Sequence, residues 1–289
     1  MERHALPPTY SWAAAVAAGV TRAELRDDGV RVTRGAYVSR AVPLTLLNAC
    51  HAAAPVLPGS AVFSHLTAAW VLGAPVSPAL PLQIIVPPGI SRPQRRNVRV
   101  HVRRLGSEDV VDHGGLRLTS GPQTLLDLAA VLAPDELVAV GDALCRAGHL
   151  SHETLGARLE RAHGSRGVVL ARDVAPILSP LAASRPESLF RYWLVASDLP
   201  DPEPQVPVFD GYGREVAHAD LGYSRWKVAL EYEGRQHAEG PQFGRDLDRY
   251  SLMAAGGWLL LRFGARHLHR RADVVDRVAG ALRSRGARW

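Results

Sequence analysis

Apolar and polar positions alternate differently in three stretches of this 289-residue chain. In the first, residues 11–18 are rich in alanine and stop at Gly19, which predicts a short helix closed by a glycine. Thr21 followed three residues later by Glu24 is a capping box, and predicts a second helix ending near Gly29. Residues 30–38 alternate around Gly35, as a tight β-hairpin does. Helix, tight turn, helix and hairpin is the layout of a winged helix-turn-helix, assigned to residues 1–42. The second stretch, 43–178, predicts a middle α/β domain. Residues 44–54 and 64–72 have helical patterning, 82–88 and 98–102 that of strands, and 121–150 a helical period through Leu125, Leu128, Leu132, Leu137, Val140 and Leu144. Pro176, Pro180 and Pro186 punctuate a linker. The third stretch, 179–289, predicts a helix over 187–196 and strands over 205–209, 216–221 and 227–232. A helix over 243–255, a strand over 258–263 and a last helix over 272–283 follow. The fold class expected is α/β of the α+β kind, ending in a mixed sheet flanked by helices.

Composition narrows the function classes. With 47% hydrophobic and 21% charged residues the chain has the balance of an ordinary globular protein. The sequence holds no run of eighteen uninterrupted apolar residues, so no membrane partner is expected, and no secretory signal opens it. Cys50 and Cys145 lie far apart in apolar helical contexts, as reduced core thiols do, and the expected compartment is the cytoplasm. The net charge is +6 and Lys227 is the only lysine. Arginine forks suit phosphates, but genome base composition also turns lysine into arginine. The charge permits a nucleic-acid partner without identifying one.

Chemistry concentrates in the third stretch. Asp220 ends one predicted strand, and Glu231-Tyr232-Glu233 ends the next, with a turn around Ser224-Arg225 making the two a hairpin. Glu231 and Glu233 share a face because strand side chains alternate with period two. Three carboxylates at one strand end raise each other's pKa unless a cation sits among them. Mg2+ or Mn2+, hard ions preferring oxygen ligands, would resolve that conflict and assist phosphodiester hydrolysis.

The combined motifs resemble the very-short-patch-repair endonuclease-like family of the PD-(D/E)XK nuclease superfamily. They are Asp220, Glu231-Tyr232-Glu233-Gly234, His237, Arg245-Asp246-Leu247-Asp248-Arg249 and Gly257-Trp258-Leu259-Leu260-Leu261-Arg262-Phe263, preceded by Ser184-Arg185-Pro186-Glu187. The resemblance covers roughly residues 184 to 283. It implies Asp220 and Glu231 as metal ligands with the carbonyl of Tyr232 as a third, and Glu187 holding a water on the metal. The superfamily's usual lysine position falls on Glu233, which is a departure; relatives in the subfamily commonly carry an acid there. His237 becomes the candidate for proton transfer. Lys227 lies on the same strand face but four residues, roughly 13 Å, from Glu231. Taken singly, each residue has a plainer reading: Asp220 a turn residue, Glu187 a helix-start acid, His237 a surface histidine, and Arg245, Asp246 and Arg249 exposed ion pairs on a helix.

The front of the chain, residues 9 to about 150, resembles AbiEi-type antitoxins, transcriptional autoregulators of toxin–antitoxin operons. The residues that carry this are Arg34-Gly35-Ala36-Tyr37-Val38, the run from Ala61 to Gly73 including His65 and Thr67, and the run from Thr119 to Asp127. The family's usual first helix is missing or very short before Ser11. DNA contacts would come from Arg22 and Arg26 on one helix face and Arg31 and Arg34 on the wing, aided by Arg245 and Arg249, mainly on phosphates. Glu24, Asp27 and Asp28 on the same short helix oppose this. The expectation is a Mg2+- or Mn2+-dependent DNA endonuclease. The alternatives are a non-catalytic antitoxin-type regulator with an operon partner protein, and an interaction module that touches no nucleic acid.

Overall fold

Side-chain caps set the first elements of the chain. The computed structural model describes residues 7–210, 212–234 and 249–289. Ser11 Oγ accepts from the Ala14 N–H at 3.1 Å and starts α1 (Trp12–Ala17). The Thr21–Glu24 capping box starts α2 (Arg22–Asp28) as the spacing predicts, with Glu24 N donating to Thr21 Oγ1 at 3.2 Å and Thr21 N to Glu24 Oε2 at 2.8 Å. A hairpin of β2 (Gly29–Thr33) and β3 (Ala36–Ser39) turns at Gly35, whose φ of 78° is left-handed and costs glycine little. The short β1 (Thr9–Ser11) adds antiparallel to β3, giving the order β1-β3-β2. The Asp28 carboxylate accepts from Tyr10 Oη and Ser39 Oγ, both at 2.9 Å, and so fastens the end of α2 to this sheet. The next helix, α3 (Leu46–Ala53), packs on all three strands.

The chain is α+β, and it divides into two compact units. The first comprises residues 1–132 and 147–172. Beside the winged layout it holds a five-stranded sheet of order β6-β5-β4-β8-β7. Its strands are β4 (Val62–Phe63), β5 (Leu82–Val86), β6 (Val98–Val102), β7 (Val110–His113) and β8 (Leu116–Thr119). Every residue of β5 is buried, as an inner strand flanked on both sides requires. The β7–β8 hairpin turns on Gly114 and Gly115, and the apolar pattern does not predict it. Helices α4 (His65–Val71) and α5 (Gly121–Leu128) pack together in the same unit.

The second unit comprises residues 133–146 and 173–289. It takes in α6 (Pro134–Arg146), which lies within the stretch expected to form the middle domain. The chain then returns to the first unit for α7 (His152–Glu160) and passes through α8 (Val168–Val174) to α9 (Arg185–Val195), on which α6 packs. The four-stranded sheet that follows has the order β12-β11-β10-β9, from β9 (Glu203–Phe209), β10 (Glu215–Tyr223), β11 (Val228–Glu233) and β12 (Leu259–Gly264). The first three strands form an antiparallel meander, and β12 lies parallel to β11. Between β11 and β12 runs α10 (residues 249–255), and α11 (Arg271–Ser284) closes the chain. Leu221, Val228 and Leu230 pack with Phe190 and Leu194 of α9 and Val278 and Leu282 of α11. Ala219 and Ala229 pack instead with Met253 and Trp258. Among the described residues, no helix is long and apolar enough to cross a membrane.

The α6–α9 contact is built on buried charge. Arg191 Nη2 donates to both carboxylate oxygens of Asp142, at 2.8 and 2.6 Å, and Ser179 N donates to Asp142 Oδ1 at 2.8 Å. Asp142 is fully buried and Arg191 nearly so. Breaking such a pair strands a charge in the interior, which costs about 3–5 kcal/mol. Asp142→Ala is therefore expected to lower stability to urea by that amount, whereas Asp142→Leu with Arg191→Met recovers much of the loss. Equal unfolding midpoints for wild type and Asp142→Ala would show the pair to be dispensable.

Candidate functional site

The site begins where a strand ladder stops. A 3-10 turn (Ser224–Trp226) joins β10 to β11 and ends on Lys227, whose φ is 51° and whose Nζ donates to Gly256 O at 2.9 Å. That bond fastens the lysine to the end of α10, well away from the role of a missing catalytic lysine. The ladder pairs Tyr223 with Val228, Gly222 with Ala229 and Leu221 with Leu230, and there it ends. At the next position Asp220 Oδ2 accepts from the Tyr232 N–H at 2.8 Å, so a side chain takes over a backbone donor that the partner strand no longer serves. On the other flank of β10, Gln205 falls between the pairs Val206↔Ala219 and Pro204↔Leu221, opposite Asp220. Its φ of 49° is left-handed, an uncommon conformation for a long side chain, and its Nε2 donates to Glu187 Oε2 at 3.3 Å.

Glu187 stands in the first turn of α9. Ser184 Oγ donates to its Oε1 at 2.7 Å and Ala183 N to its Oε2 at 2.8 Å. Glu231 is buried; Arg249 Nη2 donates to its Oε2 at 2.9 Å, and its Oε1 has no hydrogen-bond partner among the described residues. Burial pushes the Glu231 carboxyl up to about 7. Arg249 opposes the shift, while the nearby Asp220 and Glu233 charges reinforce it. Burial raises Asp220 too, held back by the Tyr232 N–H, and raises Glu187, with Asp220 adding to the effect. Glu187, Asp220 and Glu231 thus act on one another through Asp220, at the end of the sheet where the sequence motifs converge.

Glu233 does not join them. Tyr250 Oη donates to its Oε1 at 3.0 Å, and the Arg262 guanidinium is paired with the same oxygen. Arg262 stands beside Glu231 in the parallel register with β12, and its guanidinium lies 4.4 Å from the Tyr250 ring centroid. The Tyr232 ring packs against Phe190 on the other side of β11, with centroids 5.9 Å apart. Among the described residues, no group of three or more His, Cys, Asp or Glu side chains gathers as a ligand set. The expected gathering of three carboxylates is not formed among the described residues, because Glu233 is turned to Arg262 and Tyr250. His237 and Arg245 lie outside the described residues, as does the first part of the helix expected over 243–255. Arg22, Arg26, Arg31 and Arg34 are exposed in the first unit. Spacing alone gave no role to Gln205, Tyr250 or Arg262. The signal available for Arg262 was its place in a strand parallel to the one bearing Glu231.

The donor set fits a hard divalent cation. Two carboxylates and a backbone carbonyl are the protein share of many Mg2+ sites, which keep waters and substrate oxygens for the rest. Glu231 Oε1 is a buried acceptor with no donor among the described residues.

No known family profile matches the chain. Two curated proteins of Mycobacterium tuberculosis, from strains CDC 1551 / Oshkosh and ATCC 25618 / H37Rv and both named as uncharacterized, are each 28% identical to it over 261 residues, 90% of this chain and 91% of theirs. Among solved structures, the crystal structure of another M. tuberculosis protein aligns with a TM-score of 0.41 at 19% identity, covering 63% of this chain and 75% of that one.

The raised Glu231 carboxyl has a consequence for stability. A folded-state pKa near 7 against an ordinary 4.5 means that the native protein holds a proton the unfolded chain has released. Its contribution is fully present below pH 4.5 and is lost as pH rises through 7. In chelator, the urea midpoint of wild type is expected to fall between pH 5 and 8 relative to that of Glu231→Gln. A constant difference between the two proteins across that window would refute the burial account.

Proposed function

We propose that this chain is a Mg2+- or Mn2+-dependent DNA endonuclease, with the hydrolytic site in the second unit and DNA contacts from the winged layout of the first. The observation that carries the reading is Asp220 and Glu231, both raised by burial, standing at the end of the β10–β11 ladder with Tyr232 N–H bonded to Asp220. The order α9-β9-β10-β11-α10-β12, a meander followed by a parallel strand, supports it as a mixed sheet flanked by helices, the fold expected of the third stretch.

Asp220, Glu231 and the Tyr232 carbonyl would hold the ion, which when bound supplies an activated water and stabilises charge on the phosphodiester. Glu187 orients from behind, its own position fixed by Ser184, Ala183 and Gln205. Arg249 is paired with Glu231, and with a cation on that carboxylate it would be free to meet a phosphate. Glu233 keeps Arg262 beside Glu231, so that this arginine offers the positive charge that a lysine at position 233 would carry. His237 carries the proton transfer. Arg22, Arg26, Arg31 and Arg34 contact phosphates, and a partner protein from the same operon remains part of the second reading below.

That second reading is a non-catalytic DNA-binding regulator of antitoxin type. What favours it is the Glu233–Arg262 pair, since an acid–arginine couple at the lysine position leaves no obvious free base.

Supercoiled plasmid with Mn2+ tests the two. Nicking is expected from wild type and about a hundred-fold less or worse from Asp220→Ala, the scale of losing one main charge-stabilising group. Mn2+ is also expected to raise the thermal midpoint at pH 8, by mass action on the folded state, in wild type but not in Asp220→Ala with Glu231→Gln. Intact plasmid and no Mn2+ shift would sink the enzyme. A gel shift surviving in Asp220→Ala without nicking by wild type would favour the regulator.

A further inference from the structure

The wing is not alone on its face of the first unit. Asn97 Nδ2 donates to the carbonyl of Val32 at 2.8 Å, and Arg95 Nη1 donates to the carbonyl of Arg34 at the wing tip. These two bonds stitch the segment joining β5 to β6 onto the β2–β3 hairpin. Asn97 adopts a φ of 64°, which asparagine tolerates better than most residues, and its carbonyl receives Leu82 N at 2.8 Å. The far end of the segment is thereby pinned to both sheets. The result holds the segment bearing Arg92, Arg95 and Arg96 against the hairpin bearing Arg31 and Arg34, with Arg31, Arg34, Arg92 and Arg96 exposed.

The sequence here is depleted of the opposite sign. From Gly29 to Ser107 it contains nine arginines and not one aspartate or glutamate, while the rest of the chain carries 25 cations against 28 acids. Among the described residues, none of these five arginines has a carboxylate partner, and interspersed signs are what a soluble surface ordinarily shows. Guanidinium groups placed together without acids repel one another, which a row of phosphates relieves. Two of the three acids of α2 are engaged locally, Glu24 in the capping box and Asp28 on Tyr10 and Ser39, and the exposed Asp27 has Arg40 bonded to its carbonyl.

We propose that the β5–β6 segment and the wing form one nucleic-acid face, in which Arg92, Arg95 and Arg96 grip the phosphate backbone alongside Arg31 and Arg34. The inference rests on nucleic acid being the partner of this chain, and it is independent of cleavage. The face contributes affinity rather than sequence readout, since phosphate contacts position and base contacts specify. Removing one phosphate-binding arginine lowers the slope of log K against log salt by about one unit.

The test uses the full chain in EDTA with a fluorescein-labelled DNA duplex, read by anisotropy between about 50 and 200 mM NaCl. Arg92→Ala with Arg96→Ala leaves the Arg95 stitch intact and is expected to weaken binding about ten-fold and lower the salt slope by about two. Adding Arg95→Ala takes off a further unit. Arg166→Ala with Arg285→Ala removes the same charge from exposed positions elsewhere and is expected to leave affinity within about two-fold. Wild-type binding by the Arg92/Arg96 variant overturns the proposal, and so does an equal loss in the control pair. Binding to phosphatidylserine vesicles but to no duplex overturns it as well. Because no metal is present, binding is read apart from cleavage; a duplex bound through these arginines in EDTA but never cut once Mn2+ is supplied in excess sinks the endonuclease and leaves the face standing. A duplex cut by wild type but bound indifferently to Arg92 and Arg96 does the reverse.

Discussion

Carboxylates leave water reluctantly, and the second unit withdraws Glu187, Asp220 and Glu231 from it at one end of a single sheet. The rest of the site follows from how that cost is met. Asp220 is served by the Tyr232 N–H because the β10–β11 ladder stops one pair earlier. Glu187 is served by its own helix start and by Gln205, at the expense of a left-handed backbone in β9. Among the described residues, Glu231 is served on one oxygen only, by Arg249. An arrangement that satisfies two acids with neutral donors and leaves the third short of one has its unmet demand at a defined atom, Glu231 Oε1.

Glu231 and Glu233 show how two residues on one strand face acquire opposite roles. Both point to the side of β11 that bears α10. Glu233, nearer the strand end and partly exposed, can recruit Arg262 and Tyr250 without a large desolvation cost. Glu231, one pleat deeper, is buried enough that Arg249 does not restore its ordinary pKa. Depth in the sheet separates an acid that is neutralised by an arginine from one that remains hungry for charge.

Much of this was legible in the chain. The capping box at Thr21 and Glu24 fixes α2 through local bonds, and local bonds are visible in local sequence. The turn at 224–226 and the period-two patterns around it gave the β10–β11 hairpin, and hence the approach of Asp220 to Glu231. The β7–β8 hairpin was missed because β7 is partly exposed throughout and so shows no buried alternation. The grouping of α6 with the second unit depends on Arg191 meeting Asp142 across 49 residues, which no window of sequence reveals. The Glu233–Arg262 pair is hidden for the same reason: parallel register between β11 and β12 is set by the helix between them and by burial of Phe263, not by any spacing. Lys227, expected on the strand, instead ends the turn before β11 in a left-handed conformation, and its bond to Gly256 O comes from the end of α10.

Charge is also partitioned along the chain, and the partition bears on function. The first unit concentrates unpaired arginines on a hairpin and the segment stitched to it, while the second buries acids at a sheet end. Mixed in one place, these charges would cancel as ordinary surface pairs worth little to stability. Kept apart, each set retains an unmet demand: the arginines for anions, the acids for a cation. Under the proposed reading, phosphates meet the first demand and a divalent ion the second.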